Sequence, residues 1–152
     1  MPTTTAETLL DRIQIEELLI EYYSLLGRNG DNYGDFFTED CVLDINGRIF
    51  KGRNQIHAAY APSEGAIPMT GKFNMLLTNP RIVVKGDTAT ADMIWTGILQ
   101  ENVRFPPRLV EQGREHDELV KKNGKWLFKH RIVQADSGLP QIYDATYTKR
   151  NF

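Results

Sequence analysis

The chain has 152 residues, 41% hydrophobic, 10% aromatic and 25% charged, the composition of an ordinary folded domain able to bury roughly 70% of the surface its unfolded form exposes. Lys and Arg number 18 against 20 Asp and Glu, for a formal net charge of -2, which excludes nucleic-acid binding driven by phosphate neutralisation. A single cysteine, Cys41, excludes an intrachain disulfide framework and fits a reducing compartment.

No apolar run reaches the roughly 20 residues that span a bilayer, and Met1 to Glu7 carries no signal-type segment. The expectation is one cytoplasmic domain over residues 1–152, with a tail from about residue 135, no membrane contact and no nucleic-acid partner. The tail carries Leu139, Ile142, Tyr143, Tyr147 and Phe152, apolar area that packs on the body or on a second subunit.

Leu9, Leu10, Ile13, Leu18, Leu19, Tyr22 and Leu26 recur at helical spacing, predicting one long amphipathic helix from about Ala6 to Leu26. Thr4 and Glu7 have the spacing of a capping box, and Gly27 is a natural stop. Asn29 to Asp40 reads as loop plus a short helical turn at Phe36 and Phe37. Cys41 to Ile45, Asn46-Gly47 and Arg48 to Lys51 form a hairpin pattern. Asn54 offers a cap for a short helix through Ile56 to Tyr60, ended by Pro62, and Ser63 to Gly71 is loop. From Lys72 the pattern is that of strands: Phe73–Thr78, Arg81–Lys85, Thr88–Gln100, Leu109–Lys121 and Trp126–Val133, with turns at Gly86-Asp87 and Asn123-Gly124. Long antiparallel strands after two helices predict an α+β fold in which a curved sheet wraps around a helix.

Several segments in this order resemble the SnoaL-like branch of the nuclear transport factor 2-like superfamily, which includes scytalone dehydratase, bile acid dehydratase and hexachlorocyclohexane dehydrochlorinase. They are Asp11-Arg12-Ile13 through Tyr22-Tyr23, Phe37-Thr38-Glu39-Asp40-Cys41, Lys51-Gly52, Thr78-Asn79-Pro80-Arg81-Ile82, Gly86-Asp87-Thr88-Ala89, and Asn123-Gly124-Lys125-Trp126 with Arg131. The resemblance spans nearly the whole chain. It implies a cone-shaped, mixed and mostly antiparallel sheet around the long first helix, a single deep apolar pocket, and a homodimer or homotrimer. Lyases of this branch carry an Asp past the two tyrosines and a His in the strand ending in Thr-Asn; the corresponding positions here are Gly27 and Met75.

The resemblance also implies that Tyr22, Tyr23, Phe73, Met75 and Trp95 with Gly97 face inward. Strand alternation puts Leu109, Glu111, Gly113, Glu115, Asp117 and Leu119 on one face, and the resemblance makes that face the inner one. Glu115, often Tyr in relatives, is the candidate base in place of the missing dyad, with Glu111 beside it; a structural ion pair with Arg131 or Arg114 is the competing reading. Arg131 is either an anchor for a substrate oxygen or the partner of Glu115. Of the two tyrosines, adjacent on a helix and about 100° apart, Tyr22 is favoured as acid or oxyanion donor because it continues the stripe of Leu18 and Leu26, and an ordinary core tyrosine is the alternative. His116 is a candidate by its titration range, although alternation sets it opposite Glu115; His130 and His57 read as surface residues. Trp95 is a stacking wall or simple core.

Three scattered histidines and one cysteine give no metal-ligand spacing, and no glycine pattern opens a helix for a phosphate, so neither a metal nor another cofactor is expected. The function that the resemblance implies is a cofactor-independent lyase that abstracts a proton from a hydroxylated aromatic or polycyclic molecule and eliminates water or formaldehyde. The alternatives are a ketosteroid-type isomerase and a non-catalytic small-molecule binding protein.

Overall fold

The computed structural model describes residues 4–25, 33–59 and 71–137. Helix α1 (Leu9–Leu25) leads to a 3-10 turn at Tyr33–Phe36, strands β1 (Phe37–Ile45) and β2 (Arg48–Lys51), and helix α2 (Arg53–Ala59). Four long strands follow: β3 (Lys72–Lys85), β4 (Thr88–Gln100), β5 (Arg108–Lys122) and β6 (Lys125–Ser137). All six join one sheet in the order β2-β1-β6-β5-β4-β3. Every pair is antiparallel except β1 with β6, which is parallel, so the sheet is mixed and the α+β expectation holds. The Asn46-Gly47 and Asn123-Gly124 turns have positive φ at both residues, the geometry that lets a two-residue loop match the twist of its flanking strands.

The first helix starts later than the Thr4–Glu7 spacing suggests. The Thr8 carbonyl accepts the Arg12 N–H at 3.0 Å and its Oγ1 accepts the Thr5 N–H at 2.9 Å, so Thr8 closes the first turn. The buried face is Ile15, Leu19, Tyr22 and Tyr23, whereas Leu9, Leu10 and Ile13, expected in the same stripe, are 50%, 64% and 43% exposed. Apolar residues lie on more than one side of this helix, and only one side can meet the sheet. Near its start, Asp11 accepts hydrogen bonds from Lys121 Nζ at 2.6 Å and Trp126 Nε1 at 3.0 Å, which fixes the helix to the β5–β6 hairpin.

Residues 73–85, read as two strands, form one with a register shift between Thr78 and Arg81, where Asn79 has φ of 54°. Pro80 is tolerated there because β3 is an edge of the described sheet. The first hairpin strand begins at Phe37, four residues before Cys41, and α2 begins at Arg53, with the Gly52 carbonyl accepting the Ile56 N–H. Strand β6 continues to Ser137, and Ala135 is buried opposite Gly113, so the stretch expected to open the tail is strand. Leu26, Gly27, Tyr60, Pro62, most of the Ser63–Gly71 loop and the tail beyond Ser137 lie outside the described residues.

Helix α1 crosses one face of the sheet and contacts β3 and β6. The core forms where Ile15, Leu19 and Tyr22 meet Phe37, Leu43, Ile82, Leu119 and Phe128, each large side chain contributing roughly 1.5–3 kcal/mol by leaving water. No described helix is long and apolar enough to cross a membrane.

Candidate functional site

The inner face of β5 carries Glu111, Gly113, Glu115, Asp117 and Leu119, all buried, and its outer face carries Gln112, Arg114, His116 and Glu118. Glu115 lies between Met93 of β4 and Val133 of β6, and Asp117 between Ala91 and Arg131. Arg131 reaches this face through a bulge. Glu118 pairs with His130 and Leu119 with Phe128, so Lys129 is an extra residue that lets Phe128 and Arg131, three apart, both point inward.

Arg131 is 0% exposed. Its Nη2 donates a hydrogen bond to Glu115 Oε1, its Nε lies 3.1 Å from Asp117 Oδ1, and Nη2 is 3.5 Å from Asp117 Oδ2. The rings of Tyr22 and Phe128 cover the guanidinium, with centroids 4.0 and 4.1 Å from its carbon, and Tyr23 lies at 5.1 Å. The Tyr23 hydroxyl donates to the other oxygen of Glu115. Burial pushes the Asp117 carboxyl well above the usual carboxylate range; the Arg131 charge opposes this and Glu115 adds to it. Burial also works against the charge of Arg131, but Asp117 and Glu115 more than offset it and raise its proton affinity.

The single deep pocket that the resemblance implies is not what the described residues form: there are several open clefts, two of them of about 480 Å³. One lies on the strands, lined by charged groups such as Arg81, Lys85 and Glu118. The other lies beside this cluster, lined by Ile20, Tyr23 and Ser24 of α1 and by Phe73 to Thr78 of β3. None of the residues lining this second cleft is charged. Tyr23 is the one described residue that both lines the cleft and bonds to the buried acid cluster. It can therefore present a hydroxyl to a bound molecule while a buried carboxylate accepts its proton.

The other sequence candidates are distributed as follows. Phe73 and Met75 line the cleft, as expected of inward residues of this strand. Tyr22, favoured as the inward donor, is instead 1% exposed and packs edge-on against Tyr33, Phe36 and Phe37; continuing the core stripe takes it into the aromatic core, and its neighbour takes the cleft. Arg131, expected as an anchor or as the partner of Glu115, is that partner: both carboxylates and two ring faces surround its guanidinium, and its Nη1 has no hydrogen-bond partner among the described residues. Trp95 is buried against Gly113, where an added Cβ would overlap its ring, and donates Nε1–H to the Arg114 carbonyl at 3.3 Å.

Glu111 is 8% exposed and fills the space over Gly97 next to Phe73; an added Cβ there would come within 2.9 Å of Glu111 Oε1 and 2.8 Å of the Phe73 ring. His116 is not in the cleft. It lies on the outer face, half-exposed, with Nδ1 2.6 Å from Asp92 Oδ1, because the strict alternation of β5 sends it opposite Glu115. His130 faces the same side beside Glu118, and His57 is exposed on α2. Among the described residues no group of three or more His, Cys, Asp or Glu is placed to hold a metal ion. Asp117 is the addition: sequence alternation puts it on the inner face but gives it no role, which follows only from its position opposite Arg131.

The fold has many solved counterparts. A cystatin-like protein of unknown function from Nostoc punctiforme superposes with a TM-score of 0.72 at 23% identity, covering 92% of this chain and 98% of its own. A candidate scytalone dehydratase from Novosphingobium aromaticivorans gives 0.69 at 22% identity, covering 87% and 88%, and ActVI-ORFA from Streptomyces coelicolor gives 0.69 at 18%, covering 82% and 97%. At these identities the likeness establishes the fold alone. No curated protein matches the chain significantly. The sequence does match the SnoaL-like domain over residues 7–132, most of its length, and the chain belongs to that family.

Proposed function

We propose that this protein is a cofactor-independent lyase acting on an uncharged, hydroxylated aromatic or polycyclic molecule, with Tyr23 as the group that touches substrate and Glu115 as its buried proton acceptor. The observation that carries the reading is the hydrogen bond from the cleft-lining Tyr23 to Glu115, which is itself held by the enclosed Arg131. In a first step the substrate C–H proton passes to the Tyr23 oxygen as the phenolic proton passes to Glu115. In the second, Glu115 returns that proton to Tyr23, Tyr23 protonates the departing hydroxyl, the C–O bond breaks and water leaves. The enzyme is unchanged and the substrate has lost one water. Loss of formaldehyde uses the same shuttle, the proton leaving a hydroxymethyl oxygen and returning to the carbon freed by C–C cleavage.

Two features support this choice. Membership of the SnoaL-like family, and structural likeness to a candidate scytalone dehydratase, favour elimination without a cofactor. The lining, apolar except for hydroxyl and amide groups, favours an apolar substrate with few polar anchors. A second reading, a non-catalytic binding protein, draws support from Glu115 itself, since Tyr23 and Arg131 already occupy both its oxygens. Incubation of the protein with a panel of neutral hydroxylated aromatics, without added cofactor, followed by mass spectrometry separates the two. A product lighter by water or formaldehyde supports the lyase, an equal-mass product indicates isomerisation, and tight binding with unchanged ligand favours the binding protein.

A further inference from the structure

We propose that Asp117 is a positioning residue that stores a proton: the buried Glu115–Asp117 pair carries one proton, held on Asp117, which leaves Glu115 as the ionised partner of Tyr23. The inference rests on the proposed chemistry for its kinetic part only; the stored proton is a property of the resting protein.

The argument begins with charge. Glu115 and Asp117 are two residues apart on one strand, so their Cβ atoms share a face roughly 7 Å apart, and neither side chain is exposed. One guanidinium, Arg131 of β6, faces both. Among the described residues the remaining groups around the pair add no compensating cation: α1 contributes the phenols of Tyr22 and Tyr23, β1 presents Leu43 opposite Arg131, and β4 contributes Asp92, whose charge on the outer face acts on Asp117 in the same sense as Glu115. With both carboxyls ionised the cluster would hold a net negative charge away from water, an arrangement that proteins avoid by taking up a proton. A single proton makes it neutral.

Hydrogen bonding decides where the proton sits. Glu115 receives Tyr23 O–H on one oxygen and Arg131 Nη2–H on the other. Asp117 has a different set, which includes a side-chain hydrogen bond shared with Glu115 that itself raises its proton affinity. Its Oδ1 and the Arg131 Nε facing it form no well-aligned hydrogen bond among the described residues, and its Oδ2 is at the 3.5 Å limit from Nη2. Burial and the neighbouring Glu115 both raise the proton affinity of Asp117. The consequence for function is that Asp117 never needs to reach the substrate: by holding the proton it neutralises the cluster and leaves Glu115 free to accept from Tyr23.

The test needs no variant in its first part. Infrared spectra of the full chain, unlabelled and with the side-chain carboxyl of aspartate labelled with 13C, should show at neutral pH a protonated carboxylic acid C=O band that shifts with the label. The band should persist in Y23F and be absent from D117N. Absence of a label-sensitive acid band in the wild-type protein overturns the proposal, whether or not any turnover is found. In the second part, with a substrate identified from the mass-spectrometric panel, D117N should lose the alkaline limb of the pH–rate profile, because an amide stays neutral where Asp117 would ionise. A D117N profile that keeps that limb overturns the positioning role; if D117N does not fold, the labelled wild-type spectrum still decides.

Discussion

Replacing Arg131 with Met removes the guanidinium from a cluster in which no other cation among the described residues faces Glu115 and Asp117. Methionine keeps most of the stem volume between Tyr22 and Phe128, so the cavity left behind is small and the loss is chiefly electrostatic. Breaking a fully buried pair from one side costs about 3–5 kcal/mol, a large share of the roughly 5–15 kcal/mol that holds a domain together. With a urea dependence of about 1–3 kcal/mol per molar, the midpoint for R131M should fall by roughly 2 M in equilibrium denaturation followed by circular dichroism. The deficit should shrink as the pH is lowered, because the carboxylate left without its guanidinium escapes its penalty by taking up a proton. Adding E115Q and D117N to R131M should recover most of the stability for the same reason. A loss under about 1 kcal/mol, the value of an exposed ion pair, would refute the claim that this cluster is buried and tightly coupled.

The packing and pH behaviour yield further expectations. Gly113→Ala should cost about 1–3 kcal/mol in thermal or urea unfolding, since a Cβ would overlap the Gln134 carbonyl and the Trp95 ring. Phe128→Ala, which removes a fully buried ring from the core and from one face of Arg131, should cost about 3–5 kcal/mol in the same measurement. Asp117 has a folded-state proton affinity raised above its unfolded value, so its contribution is fully present at acid pH and is lost as the pH rises through the folded value. Titration of stability should show this decline in wild type and its absence in D117N. Asp11 is the opposite case, because hydrogen bonds from Lys121 and Trp126 lower its proton affinity. D11N should cost about 1 kcal/mol above the usual carboxylate range and progressively less as the pH falls through it.

The sequence was most legible where alternation or turn chemistry acts locally. The inner face of β5 from Glu111 to Leu119 follows from a period of two, although Leu109, expected on the same face, is 60% exposed and Val110 is buried because the register shifts there, and the Asn-Gly pairs mark the two hairpin turns they form. Reading failed where an extra residue or a packing choice intervenes. Simple alternation from Trp126 and Phe128 would send Arg131 outward; the bulge at Lys129 reverses it, and only the family resemblance made the position inward. Tyr22 and Tyr23 differ by one helical step. The step is decided by aromatic partners from the 3-10 turn, β1 and β6, which are distant in sequence from the helix. His116 shows the reverse lesson, since alternation already set it opposite Glu115, and its half-exposed partner Asp92 confirms the outer face. Asp117 lacked a role because its value depends on being opposite Arg131, a register that cross-strand pairing alone defines.

The central claim is that the Tyr23 hydroxyl, working with Glu115, is the reacting group of the cleft. Tyr23→Phe removes one oxygen and keeps the ring that packs near Arg131, and loss of a positioned proton donor typically costs about 10²–10⁴-fold in rate. The most direct measurement is the mass of a bound neutral hydroxylated aromatic recovered from wild type and from Y23F after equal incubation without cofactor. The account predicts a product lighter by water or formaldehyde from wild type, and ligand that Y23F binds but returns intact. Equal conversion by both proteins would contradict it.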